Sequence, residues 1–167
     1  MQVSSYVSDD IPSKPVRGWA KITVSGDRSN PEKKLIWGYV DAAHSLAIKL
    51  EDYKERFSTD NICTDVGCEL VPAMFRLCKK AASLALNHFY ENHSLSGKVY
   101  TGYSNGWNDV KTHLHLDDYS ALDELVEVFD TVNENDLIRS GKTMYVNYET
   151  LCGETRRFVA LVTSRAE

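Results

Sequence analysis

The sequence predicts a mainly α protein, an irregular four-helix bundle with a few short peripheral strands. Two stretches carry the prediction. Between Pro31 and Phe57, apolar residues recur at helical spacing: Leu35, Ile36, Tyr39, Val40, Ala43, Leu46, Ala47, Leu50, Tyr53 and Phe57. Between Leu70 and Phe89 the same spacing runs through Leu70, Val71, Met74, Leu77, Cys78, Ala81, Leu84, Ala85, His88 and Phe89. An apolar stripe on one side of a helix must be buried against another element, so the two long segments pack together.

The elements follow in order. Residues 1–15, rich in Ser, Asp and Pro, read as a loose arm. Ala20, Ile22 and Val24 alternate with Lys21, Thr23 and Ser25, the pattern of a half-buried strand from Trp19 to Ser25, closed by Gly26 and Asp27. Ser29 or Asn30 offers an N-cap for the first helix, with Pro31 at its first position and Glu32 in its first turn. That helix should end near Phe57, before the polar loop Ser58 to Asn61. Asp65 is the expected cap of the second helix. Pro72 is tolerated only in a first turn, which sets the start close to Cys68; the helix then runs to about Asn92.

The excursion from Ser94 to Asn108 is rich in Gly, Ser and Asn. A short extended piece is expected from Lys98 to Tyr103, followed by a turn at Asn105-Gly106. Asp117 or Asp118 then caps a third helix with the stripe Tyr119, Leu122, Leu125, Val126 and Phe129. Thr143 to Val146 reads as extended. Asn147 caps a fourth helix with the stripe Tyr148, Leu151, Cys152, Thr155, Phe158, Val159 and Val162.

The chain of 167 residues fits a single domain, 1–167, able to close a core without disulfides or a structural metal. No apolar run approaches a membrane span, and Met1 to Asp10 has neither the basic cluster nor the apolar core of a secretory signal. Cys78 and Cys152 fall on apolar faces, where a reduced thiol acts as a small hydrophobe; a cytoplasmic protein is expected. A formal net charge of −5 argues against broad, non-specific nucleic-acid binding. The charge is uneven, however. Asp117 to Asp136 holds eight acidic residues and no Lys or Arg, whereas Arg76, Lys79 and Lys80 cluster on the second helix, and Arg156, Arg157 and Arg165 on the last. Such runs are ordinarily solvated faces and inter-helix pairs.

Four segments in sequence order resemble the HEPN superfamily of helical domains found in bacterial toxin and defence systems. Leu35 to Ala47 resembles its first long helix, and Glu69 to Leu86 its second. Thr112-His113-Leu114-His115-Leu116 resembles the segment before its third helix, and Met144 to Leu151 the tyrosine-containing lead into its last. The resemblance covers about Pro31 to Arg165. It implies a homodimer formed across helical faces, a place in a bacterial or phage defence or toxin-type system, and in many members an RNase centre. That centre is an Arg followed after four to six residues by a His, the Arg stabilising phosphate charge and the His moving protons. Here the histidines are His44, His88, His93, His113 and His115, and no Arg precedes one at that separation. The resemblance therefore implies a binding or regulatory member, with a protein, RNA or nucleotide partner and no cofactor.

Outside that motif, His113-x-His115-x-Asp117 has the spacing of metal ligands on a strand or loop. It makes His113, His115 and Asp117 the candidates for a non-standard phosphodiester-cleaving centre. No further His follows, so the expected state is a loop whose Leu114 and Leu116 are buried, with no metal bound. Cys63 and Cys68 lack a second close pair of ligands. The residues expected to bind a partner are Arg76, Lys79, Lys80, Tyr103 and Trp107, a basic helical face beside aromatic rings that stack or anchor; the more ordinary role of Tyr100, Tyr103 and Trp107 is to tuck the long excursion onto the bundle. A third possibility is an acidic inhibitor of a mobile element, using Asp117 to Asp136 to fill a basic cleft.

Overall fold

Helix α1 (Lys33–Phe57) lies along α2 (Val66–Asn92), and α6 (Tyr148–Ser164) packs against both. Between them in sequence come α3 (Tyr103–Leu114), α4 (Ser120–Thr131) and the single turn α5 (Asp136–Arg139). The structure is a computed structural model, and it describes residues 5–22, 33–59, 66–93, 95, 100–139 and 146–164. Among the described residues, no helix is long and apolar enough to cross a membrane.

The α1–α2–α6 core is built where small and large side chains alternate. From α1 come Ile36, Val40, Ala43, Ala47 and Leu50. Met74, Cys78, Ala81, Ala82 and Ala85 face them from α2, and Phe158, Val159 and Val162 from α6. The alanines let the helix axes approach, and the long side chains fill the remaining space. Thr155 and Thr163 are buried with them, and each hydroxyl donates to the carbonyl four residues back (Leu151 and Val159, both 2.7 Å). Asn147 caps α6 as expected, its Oδ1 accepting from Thr150 N–H at 3.1 Å.

The bundle departs from the four-helix expectation in its middle. Residues 103–114, with 103–108 expected to end the excursion in a turn and 112–114 expected as loop, form α3. Tyr103, Trp107, Val110 and Leu114 stand at helical spacing and face α4, α2 and α6; Trp107 and Val110 are fully buried. Gly106 is part of the helix rather than a turn. A Cβ there would lie 2.9 Å from Leu86 Cδ1, so the missing side chain lets α3 settle onto α2.

Other boundaries also shift. Helix α2 begins at Val66, which puts Pro72 in the second turn rather than the first. Its ring nitrogen gives no hydrogen bond to the carbonyl of residue 68, and the ring is instead buried in the bundle. Neither Asp117 nor Asp118 caps α4. The N-cap is Tyr119, with no side-chain cap, because residues 115 and 116 are still closing α3. The stripe Leu122, Leu125, Val126 and Phe129 is buried as expected.

Among the described residues there is no strand. Trp19 and Ile22 are 50% and 80% exposed, not half-buried on a sheet. Alternation makes a strand only where another strand supplies a ladder, and the faces around the core are helical. Expectations for 23–32, Asp65, 96–99 and 141–145 lie outside the described residues.

Candidate functional site

The residues expected to bind a partner are divided between surface and interior. Arg76 and Lys80 are exposed on α2. Lys79 is not available to a ligand: its Nζ donates to the carbonyl of Val132 at 2.8 Å and pairs with Glu134 at 3.0 Å, closing the C-terminus of α4. Tyr103 packs on Phe129 and donates its hydroxyl to the Lys79 carbonyl (3.2 Å); burial pushes its phenol pKa up to about 12. Trp107 is only 1% exposed. Its ring meets Tyr119 and Phe158, and Nε1 donates to Asp123 Oδ1 at 2.7 Å. Trp107 is thus part of the core, and Tyr103 is partly buried against it.

The His113, His115 and Asp117 constellation does not form. His113 belongs to the last turn of α3 and sets its ring edge-on to Phe89 (5.6 Å) and His93 (4.9 Å). His115 is the C-cap, in the left-handed region at φ 54° and ψ 47°. The Leu116 N–H then returns to the Lys111 carbonyl at 2.9 Å, as in a Schellman motif. Asp117 is exposed beyond that reversal. Among the described residues, no three His, Cys, Asp or Glu side chains are placed to share a metal ion. Cys63 and the side chain of Cys68 lie outside the described residues.

The acidic segment is also partly used inside the molecule. Asp123 receives Lys111 Nζ (2.7 Å) as well as the Trp107 indole, Asp130 receives two backbone N–H groups of α3, and Glu134 receives Lys79.

Two surface features emerge instead. The first is a groove of about 470 Å³ lined by Lys34, Leu35, Gly38, Tyr39 and Ala42 of α1 and Leu77 of α2. Leu35 is 49% exposed, and further along the helix Phe57, whose ring meets Tyr53 at 4.8 Å, is 60% exposed. The sequence carried this signal. Leu35 and Ile36, Tyr39 and Val40, and Leu46 and Ala47 are adjacent pairs, and adjacent residues point about 100° apart on a helix. The apolar positions of α1 therefore form two stripes: Ile36, Val40, Ala43, Ala47 and Leu50 enter the core, while Leu35, Tyr39 and Ala42 line the groove and Leu46 continues their four-three-four spacing, partly buried. Reading them as one stripe hid the second.

The second is a cleft of about 360 Å³ between α1 and α6, lined by His44, Ala47, Ile48, Glu51, Asp52, Glu149, Cys152, Gly153 and Arg156. Arg156 pairs with Asp41 at 3.3 Å and lies over the Trp37 ring. Beside it the Tyr148 hydroxyl donates to Glu51, with Lys54 close to both. The Cys152 pKa is lowered, chiefly by the hydrogen bond from the Cys78 thiol; burial opposes this and the Arg156 charge assists it. The Cys78 pKa is raised, first by the same bond and then by burial. No protein-family model, curated protein or solved structure matches this chain.

Proposed function

We propose that this chain is a HEPN-like binding module that acts through the α1–α2 groove, and that the occupant of the groove is a second copy of the same chain. The observation that carries the reading is the second apolar stripe on α1. A stripe at four-three-four spacing beside a groove suits an apposed helix, since that is the repeat by which helices interlock. Gly38 has nothing within 4 Å of the position a Cβ would take, which leaves room for a neighbouring backbone. The resemblance to HEPN domains points the same way, because it implies dimers formed across helical faces. A protein occupant is favoured over RNA: with Lys79 engaged by α4, Lys34, Arg76 and Lys80 are a sparse set of cations for a phosphate backbone.

The test is the mass of the full chain in solution by sedimentation velocity across a concentration series. A reversible dimer is expected, and Leu35→Asp combined with Tyr39→Asp should convert it to monomer with unchanged helical circular dichroism. A wild-type chain that stays monomeric throughout, or a dimer that survives the double substitution, overturns the proposal.

A further inference from the structure

We propose that the α1–α6 cleft of one chain takes residues 14–22 of a second copy, so that each chain of the dimer lays its N-terminal arm on its partner. The inference rests on the dimer proposed above and adds a second contact to it, away from the groove. Two matching surfaces carry it. The first is the arm segment. It holds Lys14, Arg17 and Lys21 with no carboxylate, and its apolar side chains Val16, Trp19 and Ile22 are 48%, 50% and 80% exposed in the single chain. Its middle is shaped: the Trp19 N–H donates to the Val16 carbonyl at 3.1 Å, and Gly18 at φ 86° supplies the left-handed position of that turn. Arg17 thus stands at the corner of the turn, with Trp19 closing it.

The second surface is the cleft. Ile48 is 53% exposed there beside Ala47, and Gly153 has nothing within 4 Å of the position a Cβ would take, so a backbone can approach α6. Of its carboxylates, Glu51 is engaged by Tyr148 and Lys54. Asp52 and Glu149 are exposed and make no ion pair among the described residues, while Arg156 is held by Asp41. A basic segment with open apolar side chains therefore finds complementary charge and surface in one place: Trp19 covers Ile48, Arg17 pairs with Glu149, and Lys21 pairs with Asp52. The arm is long enough. Ile48 lies about 140° around α1 from Leu35, so cleft and groove open on different flanks and do not compete. Eleven residue steps separate Ile22 from Lys33, a span of up to about 36 Å. That matches the length of α1, 25 residues and about 37 Å. Exposed ion pairs are individually weak, so the groove supplies the association and the tethered arm adds to it.

The experiment mixes equal amounts of unlabelled and nitrogen-15-labelled full chain, lets them exchange, and couples amines to carboxylates with a zero-length carbodiimide. Peptides are then mapped by mass spectrometry. The expected product joins Lys21 to Asp52, with mixed light–heavy pairs as abundant as matched ones. Trp19→Ala and Arg17→Glu should each reduce that coupling several-fold, although the coupled groups themselves are untouched. Glu149→Arg added to Arg17→Glu should restore it, because the exchanged charges pair again. All these side chains are exposed, and circular dichroism checks that the helices persist. Coupling confined to matched pairs, which places the arm on its own chain, overturns the proposal, as does the absence of any link from the arm to the cleft or coupling indifferent to Arg17→Glu. Sedimentation of the same samples separates the two readings: a dimer without mixed arm-to-cleft pairs defeats this inference alone, and a monomer without them defeats the groove as well.

Discussion

The carboxylate of Asp130, near the end of α4, caps the N-terminus of α3 at the place where Gly102 has no side chain. Its Oδ1 accepts from Tyr103 N–H at 2.8 Å and its Oδ2 from Ser104 N–H at 2.9 Å. A Cβ on Gly102 would stand 2.9 Å from Oδ1, so the glycine and the distant aspartate together make one cap. Losing a cap costs about 1 kcal/mol. Asp130→Ala should destabilise the chain by that amount in urea unfolding. Gly102→Ala should also destabilise it, but cost little more once Asp130 is already Ala. Additive penalties in that double-mutant cycle would show that the two residues do not share the cap.

The same hairpin makes stability fall in acid. In Asp123 the hydrogen bond from Lys111 is the largest influence on the carboxyl, and with the Trp107 indole it lowers the pKa against burial. For Asp130 burial pushes upward, but the Ser104 and Tyr103 donors outweigh it; for Glu134, Lys79 does the same. Each group has a lower pKa folded than unfolded. Its contribution is therefore complete above the unfolded value, about 4, and is lost as pH falls through the folded one. Urea midpoints measured between neutral pH and pH about 3 should decline mainly at the acid end, and Asp130→Asn should flatten the decline.

The hairpin also marks where sequence reading stops. The long stripes of α1 and α2, and the Asn147 cap of α6, were legible because each is a local pattern of spacing or neighbour. Helix α3 has weaker local credentials: Gly102, Asn105 and Gly106 read as turn residues. Its cap comes from a residue far along the chain, and Gly106 is explained by the close approach of Leu86 and Tyr100. Trp107 and Tyr103 do pack onto the bundle, as aromatics that tuck an excursion against it would, but from a helix rather than a loop. The Cys78 and Cys152 thiols were legible as apolar-face residues, and both are buried.

His115 gives a direct test of a cap against a ligand. A non-glycine residue at φ 54° carries a steric cost of about 1–2 kcal/mol that glycine avoids. His115→Gly should raise the midpoint of thermal unfolding. Loss of stability on that change, with stoichiometric metal in the wild-type chain, would favour the ligand reading instead.

Glycines in three helices should respond in opposite directions to the same substitution. Glycine inside a helix is about 1 kcal/mol poorer than alanine. Gly38 in α1 and Gly153 in α6 have nothing within 4 Å of the place an added methyl would take, so alanine at either should stabilise the folded monomer. Gly106 is different, because its methyl would press on Leu86 at 2.9 Å and 3.3 Å and on the Tyr100 ring at 3.4 Å. Overpacking of that kind costs about 1–3 kcal/mol and exceeds the gain in helix propensity. Gly106→Ala should lower the unfolding midpoint while the other two raise it.

Trp107 separates a binding role from a structural one. Its ring fills the space between α3, α4 and α6, in contact with Tyr119 and Phe158, and its indole N–H is committed to Asp123. Truncating a buried tryptophan to alanine costs about 3–5 kcal/mol, a large share of a small domain's stability. Trp107→Phe preserves most of the packing but leaves Asp123 with Lys111 as its remaining side-chain donor, so its penalty should be smaller. Urea unfolding followed by far-ultraviolet circular dichroism should rank the wild type above Trp107→Phe and both above Trp107→Ala. Trp107→Phe should leave association through the groove intact, because Leu35, Tyr39 and Leu77 line that groove and Trp107 does not. A Trp107→Ala chain that keeps wild-type stability yet loses association would return the residue to a binding surface.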